Sequence, residues 1–273
     1  MLISIIISLM NKGWLSEKVI VIIGGTTGLG LDAARRCIEE GAKIVVVGRD
    51  PEHTKQAGQL LGHHGLAISA DATEVGTAEM AIHAAIERFG SFTGLYHVAG
   101  GSGRRFGDGP LHDITEEGWM KTLHWNLDSV MYSNRAAVKY FLEQNSSGVI
   151  LNMSSVLGFS PSPKYFATHA YAAAKSAVIG FSRSLASYYA SHDIRVNVIA
   201  PGLVETPMSQ RAFGDEHIMK FISSKQPLGR GALAQPADLS GTVVYLLSDH
   251  SKLVTGQTIA VDGGWSVTEG QYE

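Results

Sequence analysis

The sequence predicts an α/β chain, folded as a doubly wound parallel sheet of about seven strands with helices on both faces. Three observations predict it. Short apolar runs alternate with helix-length segments from near residue 18 to near residue 262. Several of these runs are nearly continuous β-branched stretches, as expected for strands buried on both faces of a parallel sheet. A glycine-rich turn joins the first run directly to the first helical pattern.

In chain order, the strand Lys18–Ile23 precedes a helix over Leu29–Glu40, and the strand Lys43–Val47 follows. Leu66–Ala70 reads as the third strand and leads to a helix over Thr77–Phe89. The strand Gly94–Val98 precedes a long helix over Glu116–Glu143, and Gly148–Met153 precedes another over Tyr171–Ser191. Arg195–Ile199, a helix over Pro236–Leu247 and a last strand Thr258–Val261 complete the pattern. Such alternation implies right-handed crossovers. No linker, repeat or low-complexity tract divides the chain, so residues 17–273 read as one domain preceded by a tail over residues 1–16.

Composition narrows function by exclusion. The 273 residues carry 22 Lys and Arg against 25 Asp and Glu, a formal charge of −3, and no basic stripe points to nucleic acid. Cys37 is the only cysteine, which rules out an internal disulfide, argues against a cysteine-based metal site and suggests a reducing, cytoplasmic setting. The 11 histidines are scattered without the paired spacing of a zinc site, so no metal is expected. The opening MLISIIISLM is apolar but too short to span a bilayer, which takes about 20 apolar residues. It lacks the positive flank and small-residue cleavage site of a signal peptide, so no membrane association is expected and Met10 offers an alternative start.

The first strand ends in Ile23-Gly24-Gly25-Thr26-Thr27-Gly28-Leu29-Gly30, so Gly24, Gly28 and Gly30 form GxxxGxG at a strand-to-helix turn. Glycine suits this turn because the backbone must bend sharply and approach a pyrophosphate, while the helix N-terminus offers free N–H groups. The second strand closes with Val47-Gly48-Arg49-Asp50. A fold that selects NAD usually carries a carboxylate near this point to bind the adenine-ribose hydroxyls. Gly48 has no side chain and Arg49 can bind the 2′-phosphate of NADP, so NADP(H) is the preferred cofactor. NAD(H) is the alternative if Asp50 is the ribose ligand, and Arg49 can equally be a solvated loop residue. Asp71, after the third strand, is placed either to bond the adenine amino group or to cap a helix.

Tyr171-Ala-Ala-Ala-Lys175 puts a phenol and an ammonium on one helix face, one turn apart. A neighbouring ammonium favours the phenolate and lowers the tyrosine pKa toward the working pH, which makes Tyr171 a candidate proton donor and acceptor. The pattern alone fits a surface tyrosine beside a lysine as well.

Taken together, these motifs resemble the short-chain dehydrogenase/reductase family, in its short single-domain branch. The resemblance covers about residues 17–265 and rests also on His97-Val98-Ala99-Gly100, Asn126, Asn152-Met153-Ser154-Ser155, Pro201-Gly202, Gly256-Gln257 and Val261-Asp262-Gly263-Gly264, in that order. It implies a Rossmann-like fold and hydride transfer between a nicotinamide cofactor and a carbonyl or secondary alcohol. It also implies Tyr171 as acid/base, Ser155 (with Ser154 as rival) on the substrate oxygen, Lys175 on the nicotinamide ribose, and Asn126 positioning a relay water. By the same resemblance Thr26, Thr27, Leu29, Ala72, Ala99, Gly100, Pro201, Gly202, Val204 and Thr206 fall on the cofactor side.

Three departures from the family pattern matter. Ile23 stands where a threonine is usual, removing a hydroxyl that ties neighbouring strands. His97 and Val98 replace two asparagines, and a structural role is expected for His97. The 15 residues between Ser155 and Tyr171 exceed the usual spacing, and the extra length is expected within Gly158–His169, where it edges the substrate site or sits as a surface insertion.

The resemblance further implies a lid over the pocket at residues 203–225, made partly apolar by Met208, Phe213, Ile218, Met219 and Phe221. Arg104 and Arg105, in the loop after the fourth strand, either meet an anionic group or face solvent. The expected partner is a small carbonyl or alcohol substrate, and the expected assembly is a homotetramer or homodimer through the long helices around Asn126 and Tyr171. The rival readings are an NAD-dependent alcohol dehydrogenase, a catalytically idle NAD(P)-binding sensor or scaffold, and epimerase or dehydratase chemistry.

Overall fold

Along β1 (Val19–Ile23) successive side chains point to opposite faces, and every one of them is buried. Ile20 and Ile22 enter one core with Ile44 and Val46 of β2 (Lys43–Gly48), beneath α1 (Gly28–Glu39) and the helix Pro236–Leu247. Val19, Val21 and Ile23 enter a second core with Val45 and Val47, beneath the helices Thr77–Phe89 and Ser129–Glu143. Two apolar faces demand two helical layers, which is why the strands read as continuous rather than alternating hydrophobic runs.

These features come from a computed structural model, which describes residues 13–270. The remaining strands are β3 (Gly65–Ser69), β4 (Gly94–His97), β5 (Gly148–Met153), β6 (Ile194–Pro201) and β7 (Thr258–Val261). All pair in parallel in the order β3-β2-β1-β4-β5-β6-β7. The winding direction reverses between β1 and β4, and open α/β sheets bind ligands in the crevice outside the strand ends at such a point. The seven-stranded Rossmann-like sheet is the one the sequence predicts. Residues 1–12 of the expected tail lie outside the described residues, whereas Leu15 is fully buried and donates its N–H to the Glu40 carbonyl at 2.9 Å.

Helix α2 (Pro51–Leu61) follows β2, with Pro51 in its first turn and the Asp50 carboxylate accepting the His53 N–H at 2.8 Å. Helix α3 spans Thr77–Phe89. The single helix expected over Glu116–Glu143 is interrupted: α4 (Glu116–Leu123) and α5 (Ser129–Glu143) are joined by a π turn over His124–Asp128. Propensity does not foretell such a bulge, which inserts a residue without breaking the hydrophobic stripe. Helix α6 (His169–Tyr189) carries Tyr171 and Lys175. The segment 203–225 folds into a short turn at Pro207–Ser209, α7 (Gln210–Phe213) and α8 (Glu216–Lys225), and α9 is Pro236–Leu247. Among the described residues no helix is long and apolar enough to cross a membrane.

Candidate active site

A cavity of about 730 Å³ opens at the carboxyl ends of the strands, running from Arg49 and Asp71 past the glycine turn to Tyr171, Phe166 and Trp265. That volume falls within the range typical of ligand sites. Most of the expected site residues line it: Gly24, Thr26, Thr27, Gly28, Leu29, Arg49, Asp71, Ala72, Ala99, Gly100, Ser155, Tyr171, Lys175, Pro201, Gly202, Val204 and Thr206. Gly30 and Asn126 do not.

The glycine turn is built by close contacts. Gly24 has a φ of +87°, and a Cβ there would lie 2.5 Å from the Ala99 nitrogen. A Cβ on Gly30 would lie 2.1 Å from the Gly24 carbonyl oxygen, so Gly30 serves helix-to-strand packing rather than the cavity. Gly28, with a φ of +51°, meets no atom nearer than the Thr206 methyl at 3.7 Å, leaving bare backbone toward the cavity at the start of α1. This bare helix N-terminus fits a pyrophosphate.

At the far side of the cavity, Lys175 Nζ lies 5.5 Å from the centre of the Tyr171 ring and donates to the Met153 carbonyl at 3.0 Å. Burial pushes the half-buried Tyr171 phenol up to about 12, opposed by the Ser155 side chain, and burial lowers the Lys175 ammonium to about 8. The expected lowering of the phenol is thus not met in the protein alone. Loss of hydration is the larger cause acting on the phenol, and the Lys175 ammonium, 5.5 Å from the ring centre, is itself bonded to a backbone carbonyl.

The two rival serines separate by their bonds. Ser154 Oγ donates to the Lys175 carbonyl at 2.8 Å, inside the protein. Ser155 Oγ accepts the Leu157 N–H at 3.2 Å, and its own proton is directed toward Tyr171 on the cavity side. Asn126, buried in the π turn, clamps the loop after β4: it donates to the Gly101 carbonyl and accepts the Gly101 N–H, both at 2.9 Å. Its amide is spent on that loop, and a third bond runs to the Thr122 carbonyl at 2.9 Å.

Beneath the cavity lies a polar layer. His97 is fully buried, with Nδ1 2.7 Å from Ser133 Oγ and Nε2 3.2 Å from the Ala99 carbonyl. A carbonyl only accepts, so Nε2 carries the proton and Nδ1 accepts from Ser133. Burial, with the nearby Lys175 charge, lowers the imidazole to about 3 and keeps it neutral. Beside it Asn152 exchanges two 2.8 Å bonds with Asn134 and donates to Ser182 at 3.0 Å, tying β5 to α5 and α6. Ser133 and Ser129 of α5 thus supply partners for His97, the polar group that replaces the family's asparagine, while Asn134 of the same helix serves Asn152.

At the opposite rim, Arg49 and Arg105 flank Trp125, with guanidinium carbons 5.1 and 4.9 Å from its ring centre. Asp71 Oδ1 accepts from the Thr73 N–H and hydroxyl at 2.9 and 2.8 Å, while Oδ2 lies 3.7 Å from Arg49. Three contributors had no sequence signal. Trp125 and Trp265 line the cavity, and the Asp108 carboxylate accepts the Ala170 and Tyr171 N–H groups at 3.0 Å each, capping the helix that carries Tyr171. Lone tryptophans and an aspartate in a glycine-rich loop match no local pattern; their roles arise from contacts between distant segments. The Gly158–His169 insertion edges the cavity through Phe166 and Thr168 and is held by Trp265 Nε1 donating to the Ser160 carbonyl at 3.0 Å. In the segment 203–225, Ala212, Ile218 and Ile222 pack down against Val156 and Trp265, leaving Met208 exposed on the cavity wall.

Fold and cavity together define a dinucleotide-binding α/β protein with a tyrosine–lysine–serine group beside the binding crevice. Residues 24–266 match the family model described as Enoyl-(Acyl carrier protein) reductase. The chain is 34% identical over 252 residues to the 2-dehydro-3-deoxy-D-gluconate 5-dehydrogenase of Escherichia coli (strain K12), covering 92% of this chain and 96% of that protein. It is 34% identical over 256 residues to the NADP-dependent (R)-specific alcohol dehydrogenase of Lentilactobacillus kefiri, covering 92% and 98% of the two chains. The solved structure of gox2181 superposes with a TM-score of 0.86 at 28% identity, covering 93% of this chain and 97% of that one. The chain belongs to the short-chain dehydrogenase/reductase family and is an oxidoreductase of the alcohol and carbonyl type.

Proposed function

We propose that this protein is an NADP(H)-dependent oxidoreductase that interconverts a carbonyl and a secondary alcohol, with Tyr171 as acid/base. The observation that carries the reading is the meeting of Tyr171, Lys175 and Ser155 on one cavity wall, across from the bare glycine turn. A bound nicotinamide supplies or takes the hydride at the reacting carbon. In reduction the Tyr171 hydroxyl gives its proton to the carbonyl oxygen as that oxygen gains charge, and the Ser155 hydroxyl donates a hydrogen bond to the same atom. The Lys175 ammonium stabilises the tyrosinate that results. A phenol pushed up to about 12 by burial is protonated at neutral pH, the form that donates to a carbonyl oxygen.

Three observations support NADP(H) over NAD(H). Arg49 is exposed at the cavity rim. Asp50, the rival ribose ligand, is turned into the cap of α2. A Cβ at Gly48 would lie 1.9 Å from Thr26 Oγ1, so the usual carboxylate position has no room for a side chain. A cytoplasmic setting and a homotetramer or homodimer belong to the same reading, supported by the lone buried Cys37 and by exposed Leu111, Trp119 and Met120 around α4.

Two measurements test it. Tyr171→Phe is expected to lower turnover of ketone substrates by about a hundredfold or more while NADPH affinity, followed by nicotinamide fluorescence, is kept; retained turnover overturns the assignment. Titration with NADPH and NADH is expected to show tighter binding of NADPH, with the difference abolished in Arg49→Ala. A wild-type preference for NADH instead assigns the ribose to Asp50 and the enzyme to NAD-dependent alcohol oxidation.

A further inference from the structure

Two arginines from distant segments converge on the substrate end of the cavity. Arg104, in the turn after β4, donates to the Tyr165 carbonyl at 3.0 Å, and Arg211, in α7, donates to the same oxygen at 3.2 Å. Both line the cavity, and neither forms an ion pair among the described residues. Each guanidinium has five N–H donors, so one shared carbonyl leaves most of them free. Asp108 is the carboxylate felt by Arg104, but it caps the Ala170 and Tyr171 N–H groups and forms no ion pair with Arg104 among the described residues. Burial and the Arg211 charge together hold the Arg104 guanidinium below its ordinary value. Neighbouring walls are apolar, with Val156, Leu157, Phe166 and Trp265 on the same lining. Arg104 is half-buried and Arg211 is exposed at the cavity mouth, and two cations with free donors set side by side there repel each other until an anion lies between them.

We propose that Arg104 and Arg211 form a carboxylate subsite, so that the carbonyl substrate of this enzyme is a keto acid whose acid group is held by the two guanidiniums. This rests on the proposed function, because the keto group must reach Tyr171 while the carboxylate reaches the arginines. A planar guanidinium pairs a carboxylate through two parallel hydrogen bonds, and two of them fix its orientation as well as its charge. Arg105, the neighbour of Arg104, takes no part: it stacks on Phe106 and Trp125 at 4.6 and 4.9 Å. The Tyr165 carbonyl belongs to the insertion before Tyr171, which gives that insertion a purpose: it holds the two cations in register at the pocket mouth.

The test compares levulinate and its two next longer homologues with their methyl esters, each as a substrate for NADPH oxidation. Wild type is expected to favour the best acid over its ester by about tenfold or more in kcat/KM. Arg104→Gln and Arg211→Gln are each expected to reduce that acid-to-ester ratio by about tenfold to a hundredfold, and Arg104→Lys to restore part of it. The ratio is internal to each variant, so partial unfolding cancels. An unchanged ratio in both Gln variants, or no preference in wild type, overturns the subsite. Should no ketone turn over with either nucleotide, calorimetry with levulinate in the presence of NADP⁺ decides separately. Levulinate binding that is lost in Arg104→Gln keeps the subsite and removes the dehydrogenase reading; no binding to wild type removes the subsite.

Discussion

Buried with both ring nitrogens bonded, His97 is held neutral in the folded chain and is free to charge only when the chain unfolds. Its folded value of about 3 lies below the ordinary 6.5, so the unfolded state binds the extra proton between those limits. Above the ordinary value the two states are equally neutral and the residue is silent. As pH falls from 6.5 toward 3, stability is lost at a rate approaching about 1.4 kcal/mol per pH unit. His97→Asn is therefore expected to flatten the loss of stability below pH 6.5, read from urea midpoints taken at a series of pH values. A variant curve as steep as wild type places the acid sensitivity elsewhere. The replacement at His97 was visible in the sequence, and so was its structural character. Its partners Ser129 and Ser133 were not, because they lie 32 and 36 residues away on a helix whose facing depends on packing.

Helix α6 shows how an element acquires its function from outside itself. Thr168 at its start provides no side-chain cap, and the Asp108 carboxylate bonds the N–H groups of Ala170 and Tyr171, 62 and 63 residues further on, instead. A carboxylate at this end also complements the helix dipole. Asp108→Ala leaves two N–H groups without their acceptor and is expected to cost about 1–3 kcal/mol of stability. Because the lost bond ends on the Tyr171 backbone, kcat should fall more than KM rises. Asp108→Asn, which keeps one acceptor, should recover most of the stability and part of kcat. A purely structural cap would change the melting temperature with no effect on kcat per folded molecule. The π turn is a second case: His124–Asp128 turns Asn126 onto Gly101 and Trp125 to the cavity, while the hydrophobic period on either side reads as one uninterrupted helix.

Across the molecule, the sheet order sets the cavity at the reversal between β1 and β4, and every site segment reaches it from a strand end or the helix after one. The outer surface near α4 carries Leu111 and Met120 at 70% and 69% exposure, with Trp119 at 38%, an apolar patch that suits the proposed assembly. Sedimentation velocity is expected to give a species of two or four times the 29.2 kDa chain mass, and Met120→Lys to shift it toward the monomer. A wild-type monomer at micromolar concentration removes the assembly from the proposal.

The sequence by itself determined the strand–helix alternation, the glycine turn and the one-face pairing of Tyr171 with Lys175. All three are written in spacings of a few residues, which backbone geometry converts directly into position. It left open whether Ser154 or Ser155 faces the cavity, whether Asp50 or Arg49 meets the cofactor, and whether Arg104 faces an anion or solvent. The fold supplies the contacts that bear on these choices: Ser154 Oγ donates to the Lys175 carbonyl, the Asp50 carboxylate accepts the His53 N–H, and Arg104 meets Arg211 at a shared carbonyl. Hydrogen-bond satisfaction and desolvation are properties of the whole packed chain, and no local pattern contains them.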